Sequence, residues 1–508
     1  MNIEAKNYDS EFCGSLPLHN INLIQPYGYL MVLDRDTLSV IQVGENIEAL
    51  LGISPQNLIN NSLSNFIPLS ETELLKTRLS SNITDAIPFH LTIKDKQEQT
   101  RPCIAILHAK LEFLILEMEE VSGKKAFVDV IQDLKFAMAA IDQAGTVQEA
   151  CEFSISELKK FSGFNKIMMY KFDENWNGTV IAEVSDERLE PYIGLTFPAS
   201  DIPKQARDLY LKNPYRLIPS RLYTPVRLYP VRNPVSNSFL DLSDCNLRGV
   251  PSVHLEYLGN MDVMASMSTR IIVRDKLWGL ISCHHHTEKM LNYEERAVFE
   301  LLSSIISTKI TSIETKDKFD FRNALRQTRG KLLEYIYTDK SFARGLLNHE
   351  PNILNLLSAG GAAVIENGVL STIGAVPKED DIRNLILWLQ NKGIDRVYAE
   401  SNLSDKYDHA ENYIDTGSGV LVIPVDIRRG DYIIAFRHEV IRTVNWGGNP
   451  EEAINFEPDG KKYHPRNSFR LWKETLVKTS EPWHSDELAI AEEIRNFIFE
   501  FSSKYIHN

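Results

Sequence analysis

Three groups of residues in this sequence have types and spacings that could do chemistry. Cys13 lies in a short polar arm before the first predicted strand, where a thiol has no core to join, so it is a candidate for covalent attachment. Asp201 stands between two prolines in residues 197–203, directly before a helical run. Residues 464–469, HPRNSF, belong to an excursion of about 45 residues after the last predicted hairpin, and such long loops are usually functional.

These groups also have plainer interpretations, which the residues alone leave open. Ser200 or Asp201 would make a good N-cap for the following helix, with Pro203 near its first turn. In the run from His284 to His286, alternation along a strand sends only the first and third side chains to the same side. One buried, hydrogen-bonded histidine and two surface ones are favoured over a metal site, because strong zinc sites bring further ligands at helical or CxxC spacing.

The usual catalytic signatures are absent from the sequence. His438-Glu439 has Arg442 where a zinc-protease helix needs its second histidine. Gly460-Lys461 lacks the other glycine and the hydroxyl residue of a phosphate loop, and no GxSxG occurs. The five cysteines are an odd number without CxxC spacing, which argues against a disulfide framework. The sequence therefore predicts no enzyme within these 508 residues and no metal site.

The elements that must position these residues belong to a chain of ordinary globular composition. Its 508 residues suggest three domains of about 150 residues each. The net charge of −14 argues against non-specific binding to nucleic acid or to an anionic membrane surface. No apolar run approaches the ~18 residues of a membrane span, and the first residues lack a secretory pattern, so the sequence predicts a cytoplasmic protein.

The first two predicted domains differ in their helices. Residues 27–122 predict a sheet with small helices, because short β-rich runs alternate with polar turns. Residues 123–315 open with two amphipathic helices and continue with two hairpins. Between the hairpins, five prolines in residues 214–234 exclude a long helix or a central strand and predict an extended, self-crossing loop.

A weak internal repeat organises the remaining residues, 316–508. Strand, charged hairpin, strand and histidine recur in residues 420–438 as in residues 267–284. A long helix is predicted from about Asn292 to Tyr337, and its apolar stripe fits either a core face or a dimer seam. The same spacing at residues 491–501 predicts a dimerising terminus or a helix that once continued into another domain.

In this order, these features resemble the photosensory core of a phytochrome, specifically a bacteriophytochrome. Residues 198–203 match the PASDIP motif of that family letter for letter, and residues 465–469 match its tongue motif PRxSF. The resemblance covers nearly the whole chain. It implies an α+β fold of three domains, each an antiparallel sheet flanked by helices. Long helices would join the domains, and an N-terminal knot and a tongue would complete them.

The domains that the resemblance implies follow the predicted segments. Residues 1–26 would be an N-terminal arm with the chromophore cysteine, 27–122 a PAS domain and 123–315 a chromophore-binding GAF domain. Residues 316–508 would be a GAF-like PHY domain that includes the tongue, about 426–480, and a C-terminal output helix. The N-terminal segment near Ile24 would thread through the proline-rich loop as the knot.

The implied cofactor is biliverdin, a linear tetrapyrrole linked by a thioether to an N-terminal cysteine, and Cys13 occupies that place. The plant and cyanobacterial branch instead uses a GAF cysteine immediately before the pocket histidine. Here the residue before His254 is Val253. Cys283 precedes the other pocket histidine and is favoured as a buried small residue.

The resemblance also implies the pocket. The backbone carbonyl of Asp201 and a water held by His254 would accept the pyrrole N–H groups. Arg216 and Arg248 would bind the two propionates, and His284 would contact the carbonyl of the terminal D ring. The other implied chromophore-binding residues are Tyr170, Phe197, Ile202, Pro203, Tyr210, Tyr257, Ser266 and Ser268. Three methionines fit either the core or this pocket: Met261, Met264 and Met267.

Light would act through the tongue. The resemblance implies that red light rotates the D ring about a methine double bond. Asp201 would pair with Arg466 in the red-absorbing state. In the far-red state the tongue, which includes Trp446, would refold from hairpin to helix, and Ser468 would take over the contact.

The implied partners are a second copy of the chain, bound through GAF and PHY helices, and in the full-length protein an output histidine kinase with a response regulator. Nucleic acid and membrane are not expected as partners. One alternative is a tandem PAS/GAF module that binds a cyclic nucleotide or another metabolite. It explains the fold and the helices equally well, but it does not explain Cys13, the two arginines and the tongue together.

Overall fold

The computed structural model describes residues 19–80, 88–121, 127–186, 189–450, 454–456 and 463–505. Cys13 therefore lies outside the described residues. The described residues form two compact units. The first contains the residues up to Ile313 together with Asn445–Trp472, and the second contains Glu314–Val444 and the residues from Lys473 onwards.

Strands occur along the whole described chain. In chain order they are β1 Leu23–Ile24, β2 Tyr29–Asp34, β3 Val40–Gly44, β4 Pro88–Lys94, β5 Thr100–Ala109, β6 Phe113–Glu120, β7 Lys166–Phe172, β8 Gly178–Ser185, β9 Thr196–Phe197, β10 Tyr215–Ile218, β11 Val226–Tyr229, β12 Ala265–Val273, β13 Lys276–His285, β14 Gly361–Glu366, β15 Val369–Gly374, β16 Tyr398–Glu400, β17 Gly419–Asp426, β18 Asp431–Arg437, β19 Arg442–Gly447, β20 Ile454–Phe456, β21 Tyr463–Pro465 and β22 Leu471–Leu476.

Helices of very different lengths connect these strands. The α-helices are Glu48–Leu51, Pro55–Leu58, Leu69–Ser80, Phe127–Asp142, Val147–Ser162, Lys204–Lys212, Ser252–Asn260, Tyr293–Asp339, Phe342–Leu347, Ile353–Leu357, Glu379–Asn391, Ile414–Gly417 and Ser485–Tyr505. The 3₁₀ turns are Glu45–Ile47, Leu63–Asn65, Ala199–Asp201, Leu403–Asp405 and Asp408–Tyr413. Among the helices of the described ranges, none combines the length and the apolar character that a bilayer crossing requires.

The first sheet has seven strands in the order β1-β11-β3-β2-β6-β5-β4. Along β4, Phe89, Leu91 and Ile93 are buried and the residues between them are not, as alternation in a half-buried strand requires. These side chains share a core with the short helices, including Leu50 and Leu75. The arrangement matches the predicted sheet with small helices.

Strand β1 passes between β11, in the proline-rich loop, and Arg248, which lies after that loop. β1 pairs with β11, and Ile24 also bridges to Arg248 on its other side. β11 in turn pairs with β3 and so lies inside the first sheet. The prediction that this loop holds no central strand is wrong, because the prolines flank β11 and do not interrupt it. The N-terminal segment is bonded on one side to the proline-rich loop and on the other to Arg248, as the predicted knot requires.

The second sheet has the order β10-β12-β13-β7-β8-β9-β19-β22 and two distinct faces. Met267, Ile281 and Cys283 point to one face, where they share a core with the helices Phe127–Asp142 and Val147–Ser162. The residues that alternate with them along the same strands, such as Ser266, Ser268 and His284, line a cavity on the other face. The sheet thus separates a packed apolar side from a side that is available to a ligand.

The third sheet repeats the second. Its order, β15-β14-β18-β17-β16, matches β8-β7-β13-β12-β10, so the hairpin of β17 and β18 takes the place of β12 and β13. One face packs against the helices that precede and follow the sheet. On the other face, Val420, Val422, Ile434 and Phe436 pack against the helix Glu379–Asn391. The internal repeat predicted from the sequence corresponds to this shared topology.

Within the described ranges, the apolar stripes of the two longest helices pack into domain cores. Phe299 and Leu302 are buried beneath the second sheet, which favours the core interpretation of the stripe on Tyr293–Asp339. Ala491 and Ile494 are buried against the third sheet. The stripe at residues 491–501 therefore serves the interior of its own domain, and a dimerising terminus stays a prediction.

The excursion after β18 forms a hairpin. Its arms, β19 and β22, are neighbours in the second sheet, where Trp446 pairs in parallel with Thr196 of β9. Between the arms, β20 and β21 pair Asn455 with His464. Since β18 lies between β14 and β17 in the third sheet, the excursion begins after Arg437, later than the predicted residue 426.

Candidate functional site

The open face of the second sheet borders a cavity of about 230 Å³. Strands β7, β10, β12 and β13 contribute to its wall, together with the helices Lys204–Lys212 and Ser252–Asn260. All thirteen residues predicted to bind a chromophore line this cavity: Tyr170, Phe197, Asp201, Ile202, Pro203, Tyr210, Arg216, Arg248, His254, Tyr257, Ser266, Ser268 and His284. The structure therefore brings together residues that are spread over more than a hundred positions of the sequence.

Asp201 reaches the cavity from a restrained turn. Pro198 (φ −67°) and Pro203 (φ −62°) are extended on either side of the turn Ala199–Asp201, as the fixed φ of proline favours. Arg207, 4% exposed, donates from Nη1 to the carbonyl oxygen of Ile202 at 2.7 Å. The helix that follows has Pro203 as its N-cap residue and no side-chain cap, so the N-cap interpretation of Asp201 is wrong.

The carboxylate of Asp201 forms a buried ion pair with Arg466 of the excursion. Its Oδ2 accepts a hydrogen bond from Nη2 of Arg466 and another, of 2.9 Å, from the hydroxyl of Tyr257. The two charged side chains are 4% and 3% exposed. The guanidinium also lies 5.1 Å from the ring centroid of Phe197 and 4.9 Å from that of Phe469, within cation–π range. The PASDIP turn and the PRxSF segment are thus joined away from water.

Burial and pairing shift the pKa values of Asp201 and Arg466 in opposite directions. Burial raises the pKa of the Asp201 carboxyl, although Arg466 and the Tyr257 hydroxyl oppose that shift. Burial alone would lower the pKa of Arg466, but the carboxylate and Tyr257 outweigh it and hold that pKa above its usual value. Removing either partner would leave a buried charge uncompensated, which generally costs about 3–5 kcal/mol.

Further contacts seat residues 464–469 against the helix Ser252–Asn260. Nδ2 of Asn260 donates to the carbonyl oxygen of Arg466 at 3.1 Å, and Nδ1 of His464 lies 3.0 Å from the carboxylate of Glu256. The buried ring of Phe469 packs edge-on against Tyr257, with 5.2 Å between centroids. Helix and tongue therefore meet through polar, charged and aromatic contacts.

Two glycines allow the hairpin to pack closely against Phe197 and against its own second arm. A Cβ atom on Gly447 would lie 2.8 Å from the ring of Phe197. Gly448 has a φ of +99°, and a Cβ atom there would lie 2.2 Å from the carbonyl oxygen of Ser468. The sequence Trp446-Gly447-Gly448 thus permits close packing, while Trp446 contributes through backbone pairing.

Arg216 and Arg248 form a cationic corner of the cavity. Arg216 is held by the carbonyl oxygens of Asn246 at 3.2 Å, of Gly249 at 3.0 Å and of Arg248. Nη1 of Arg248 is buried and has no hydrogen-bond partner within the described ranges. Burial, together with the neighbouring Arg216, lowers the pKa of Arg248 to about 9. These two desolvated guanidinium groups, one of which has a donor without an acceptor, are suited to a ligand that carries carboxylates.

The register of the sheet sets polar side chains next to this corner. Arg216 of β10 lies opposite Ser268 of β12, and Ser266 of β12 lies opposite His284 of β13. The hydroxyl of Tyr210 is 2.6 Å from that of Ser268. The cavity face therefore offers hydroxyl and imidazole groups on β12 and β13, next to the guanidinium of Arg216 on β10.

The two cavity histidines are held in the neutral form. Burial lowers the pKa of His254 to about 4 and, helped by Lys166, that of His284 to about 3. The exposed part of His254 faces the cavity, and its ring stacks on that of Tyr257 at 6.1 Å. Nε2 of His284 lies 3.2 Å from the hydroxyl of Ser282. At neutral pH each ring can therefore both donate and accept a hydrogen bond.

Aromatic rings close the end of the cavity near the ion pair. Phe197 packs against Tyr170 with 5.5 Å between ring centroids and against Tyr192 with 5.6 Å. All three side chains are buried. These rings exclude water from the region around Asp201 and present flat apolar surfaces to a planar ligand.

Some predicted residues lie elsewhere, and some cavity residues were not predicted. Of the three methionines, Met261 lines the cavity and Met267 belongs to the core. Ser468 borders a neighbouring cavity of about 270 Å³. Tyr192 and Ser282 line the main cavity but belong to no motif. Ser282 was open to prediction, because it lies two residues before His284 on the same face of a strand.

Comparison with protein-family models finds three matches along the chain. A PAS fold matches residues 13–121, a GAF domain matches 146–310, and the phytochrome region matches 325–505.

Curated relatives and solved structures agree with these matches. "Cyanobacterial phytochrome B" of Nostoc sp. is 39% identical over 494 residues, which are 96% of this chain and 66% of the relative. A bacteriophytochrome of Pseudomonas aeruginosa is 31% identical over 502 residues, covering 95% of this chain and 65% of the relative. The chain thus spans slightly under two thirds of the length of these relatives.

Two solved structures match along almost their entire length. The crystal structure of a bacteriophytochrome from R. palustris has a TM-score of 0.84 and 31% identity, and the match covers 97% of this chain and 99% of that one. The photosensory core module of the Stigmatella aurantiaca phytochrome has a TM-score of 0.82 and 35% identity, with 97% and 98% covered.

Proposed function

This chain belongs to the phytochrome family of photoreceptors, with PAS, GAF and PHY domains, and we propose that it binds biliverdin in the GAF cavity to sense red and far-red light. The observation that carries the proposal is the buried ion pair between Arg466 and Asp201, a residue that lines a cavity together with two desolvated arginines. The pair links the ligand site to the tongue, which is the link that a light switch needs.

The cavity residues suit a linear tetrapyrrole with two carboxylates. When bound, biliverdin supplies visible absorption and a terminal ring that light can rotate about a methine bond. Arg216 and Arg248 would hold its carboxylates, and the unmade bond at Nη1 of Arg248 supports this role. His254 and the carbonyl oxygen of Asp201 would accept hydrogen bonds from the pyrrole N–H groups, and His284 would donate one to the terminal carbonyl.

Covalent attachment is assigned to Cys13. This residue lies outside the described ranges, so the assignment rests on its position in the sequence and on the other cysteines. Val253, at the place of the alternative attachment residue, lines the cavity without a thiol. The four described cysteines are all buried. Burial also raises the pKa of Cys283, which keeps it a poorly nucleophilic thiol.

The tongue would carry the signal. In the described structure the tongue is a hairpin, seated by Arg466 and Phe469. We assign this form to the red-absorbing state, and in the far-red state the tongue would refold towards helix while Ser468 replaces Arg466 at Asp201. A buried ion pair that is broken and remade is a suitable two-state element. The chain would act as a cytoplasmic dimer, and the full-length protein would pass the signal to a histidine kinase and a response regulator.

The direct test is spectroscopic. We expect co-expression with a haem oxygenase to give a green protein whose red absorption band falls under red light while a far-red band rises. The two bands should interconvert repeatedly under alternating red and far-red light. A colourless product would contradict the proposal and leave a metabolite-binding PAS/GAF module as the better interpretation.

The arginine corner gives a second prediction. We expect Arg248→Ala to weaken non-covalent binding of biliverdin about 10- to 100-fold, the range for loss of one charge-assisted hydrogen bond. Titration of the apoprotein carrying Cys13→Ala, which prevents covalent trapping, measures this through bilin absorbance. Arg227→Ala is the matched control, because Arg227 is exposed on β11. Unchanged affinity in Arg248→Ala would remove this arginine from the binding site.

A further inference from the structure

A glutamate of the PAS sheet reaches the segment that builds the arginine corner. Glu117 lies on β6, 3% exposed, on the same strand face as Ile115, which belongs to a cluster with Cys245 and Leu247. Its Oε1 accepts a hydrogen bond of 3.1 Å from the backbone N–H of Asn246, and its Oε2 accepts one of 2.6 Å from that of Leu247. One carboxylate therefore fixes two successive peptide groups that lie about 130 positions away in the sequence.

Neighbouring side chains hold this carboxylate in place. Nε2 of His108, on the adjacent strand β5, lies 2.7 Å from Oε1 of Glu117, and both side chains are buried. Cys245 completes a buried group whose ligand atoms lie within 4.8 Å of one another. Both oxygens of Glu117 already accept backbone N–H groups, so the geometry favours a structural carboxylate over a metal ligand.

The segment that Glu117 fixes is the one that forms the cationic corner. The carbonyl oxygen of Asn246 accepts from Nη1 of Arg216, and that of Gly249 accepts from Nη2. Arg248 is the next residue after Leu247. Each amide held by the PAS domain thus lies within two residues of a group that holds or forms the corner.

We propose that Glu117, supported by His108, is a positioning residue that sets Arg216 and Arg248 in the geometry required by the two carboxylates of the bilin. The inference rests on the proposed function and adds to it a contribution of the PAS domain to ligand selectivity. The loss of its charge and the loss of its positioning role predict opposite effects on ligand affinity when Glu117 is replaced. Removing its negative charge would by itself strengthen the binding of an anion, whereas loss of the held geometry would weaken it.

The experiment compares two ligands on one protein. Biliverdin and its dimethyl ester differ only in whether the two side-chain carboxylates are free. Both are titrated against the full chain carrying Cys13→Ala, which prevents covalent trapping, with and without Glu117→Gln. We expect Glu117→Gln to weaken binding of biliverdin about tenfold, as for one lost hydrogen bond to a charged group, and to leave the ester within about twofold.

Glu112→Gln is the matched control, because Glu112 is an exposed glutamate just before the same strand. Equal losses for both ligands would make Glu117 a merely structural residue, and a gain for biliverdin would show that only its charge matters. Either result overturns the inference, as does unchanged binding of both.

Two further outcomes separate this inference from the proposed function. If the chain with Glu117 intact binds neither ligand, the proposed function itself fails. If it binds both with equal affinity, the arginine corner does not distinguish free from esterified carboxylates. The inference then fails, whereas the proposed binding of a bilin is still supported. Should Glu117→Gln prove insoluble, His108→Leu removes the support of the carboxylate while keeping an apolar side chain. The same selective loss, about threefold, is then expected, and an unselective loss counts against the inference.

Discussion

Arg466→Ala is expected to release the tongue while leaving bilin attachment intact. The substitution leaves the Asp201 carboxylate buried without a counter-charge, which should destabilise the docked hairpin by about 3–5 kcal/mol. Local opening of the tongue should then rise by more than two orders of magnitude. The substitution also leaves the Asp201 carboxylate, which Ser468 would contact in the far-red state, without the partner that orders it, so formation or stability of the far-red state should be impaired. Amide hydrogen exchange at residues 464–469 and the red-minus-far-red difference spectrum measure the two effects.

The pH dependence of this variant has a defined sign. Burial raises the pKa of Asp201 and, without Arg466, nothing of opposite charge in the pair opposes that shift. A carboxyl whose pKa is higher in the folded protein contributes stability at low pH and loses it as the pH rises through that pKa. The defect of Arg466→Ala should therefore be smaller at pH 5 than at pH 8. Arg470→Ala, at an exposed arginine four positions away, is the control. A normal photocycle and unchanged exchange in Arg466→Ala would refute the role of the pair.

Cys13→Ala is expected to abolish the covalent adduct completely. On a denaturing gel the zinc-dependent fluorescence of the attached bilin should disappear. The folded Cys13→Ala variant should still bind bilin weakly through the cavity residues. Cys283→Ala should keep the adduct, because Cys283 is fully buried on the helix-covered face of the sheet and burial raises its pKa. An adduct that survives in Cys13→Ala and is lost in Cys283→Ala would place the attachment at Cys283.

Local pattern explains most of what the sequence predicted. The strands near the site and the long helices followed from apolar periodicity, which depends only on neighbouring residues. The cavity residues followed from the PASDIP and PRxSF motifs, whose composition is specific enough to identify a family. A stripe such as Ala491 and Ile494 carries no information about its partner, because an apolar face packs equally well on its own domain or on a second chain.

Long-range pairing is what the sequence did not reveal. β11 looked like an irregular loop because its prolines suggested interruption, and only the pairing with β1 and β3 shows that they mark its ends. No sequence motif marks Glu117, because its partners, Asn246 and Leu247, lie about 130 residues away and contribute only backbone amides. Such contacts depend on how two domains meet, and no spacing within either segment encodes that.

The shared topology of the second and third sheets has a consequence for how such proteins can diversify. In the GAF sheet the cavity face carries Ser266, Ser268 and His284, whereas the corresponding face of the PHY sheet carries Val420, Val422 and Phe436 under a helix. The opposite faces pack against long helices in both domains. After a domain duplication, one copy could therefore lose or acquire a ligand through substitutions on one side of a single hairpin. The side that packs against the connecting helices would be inherited unchanged.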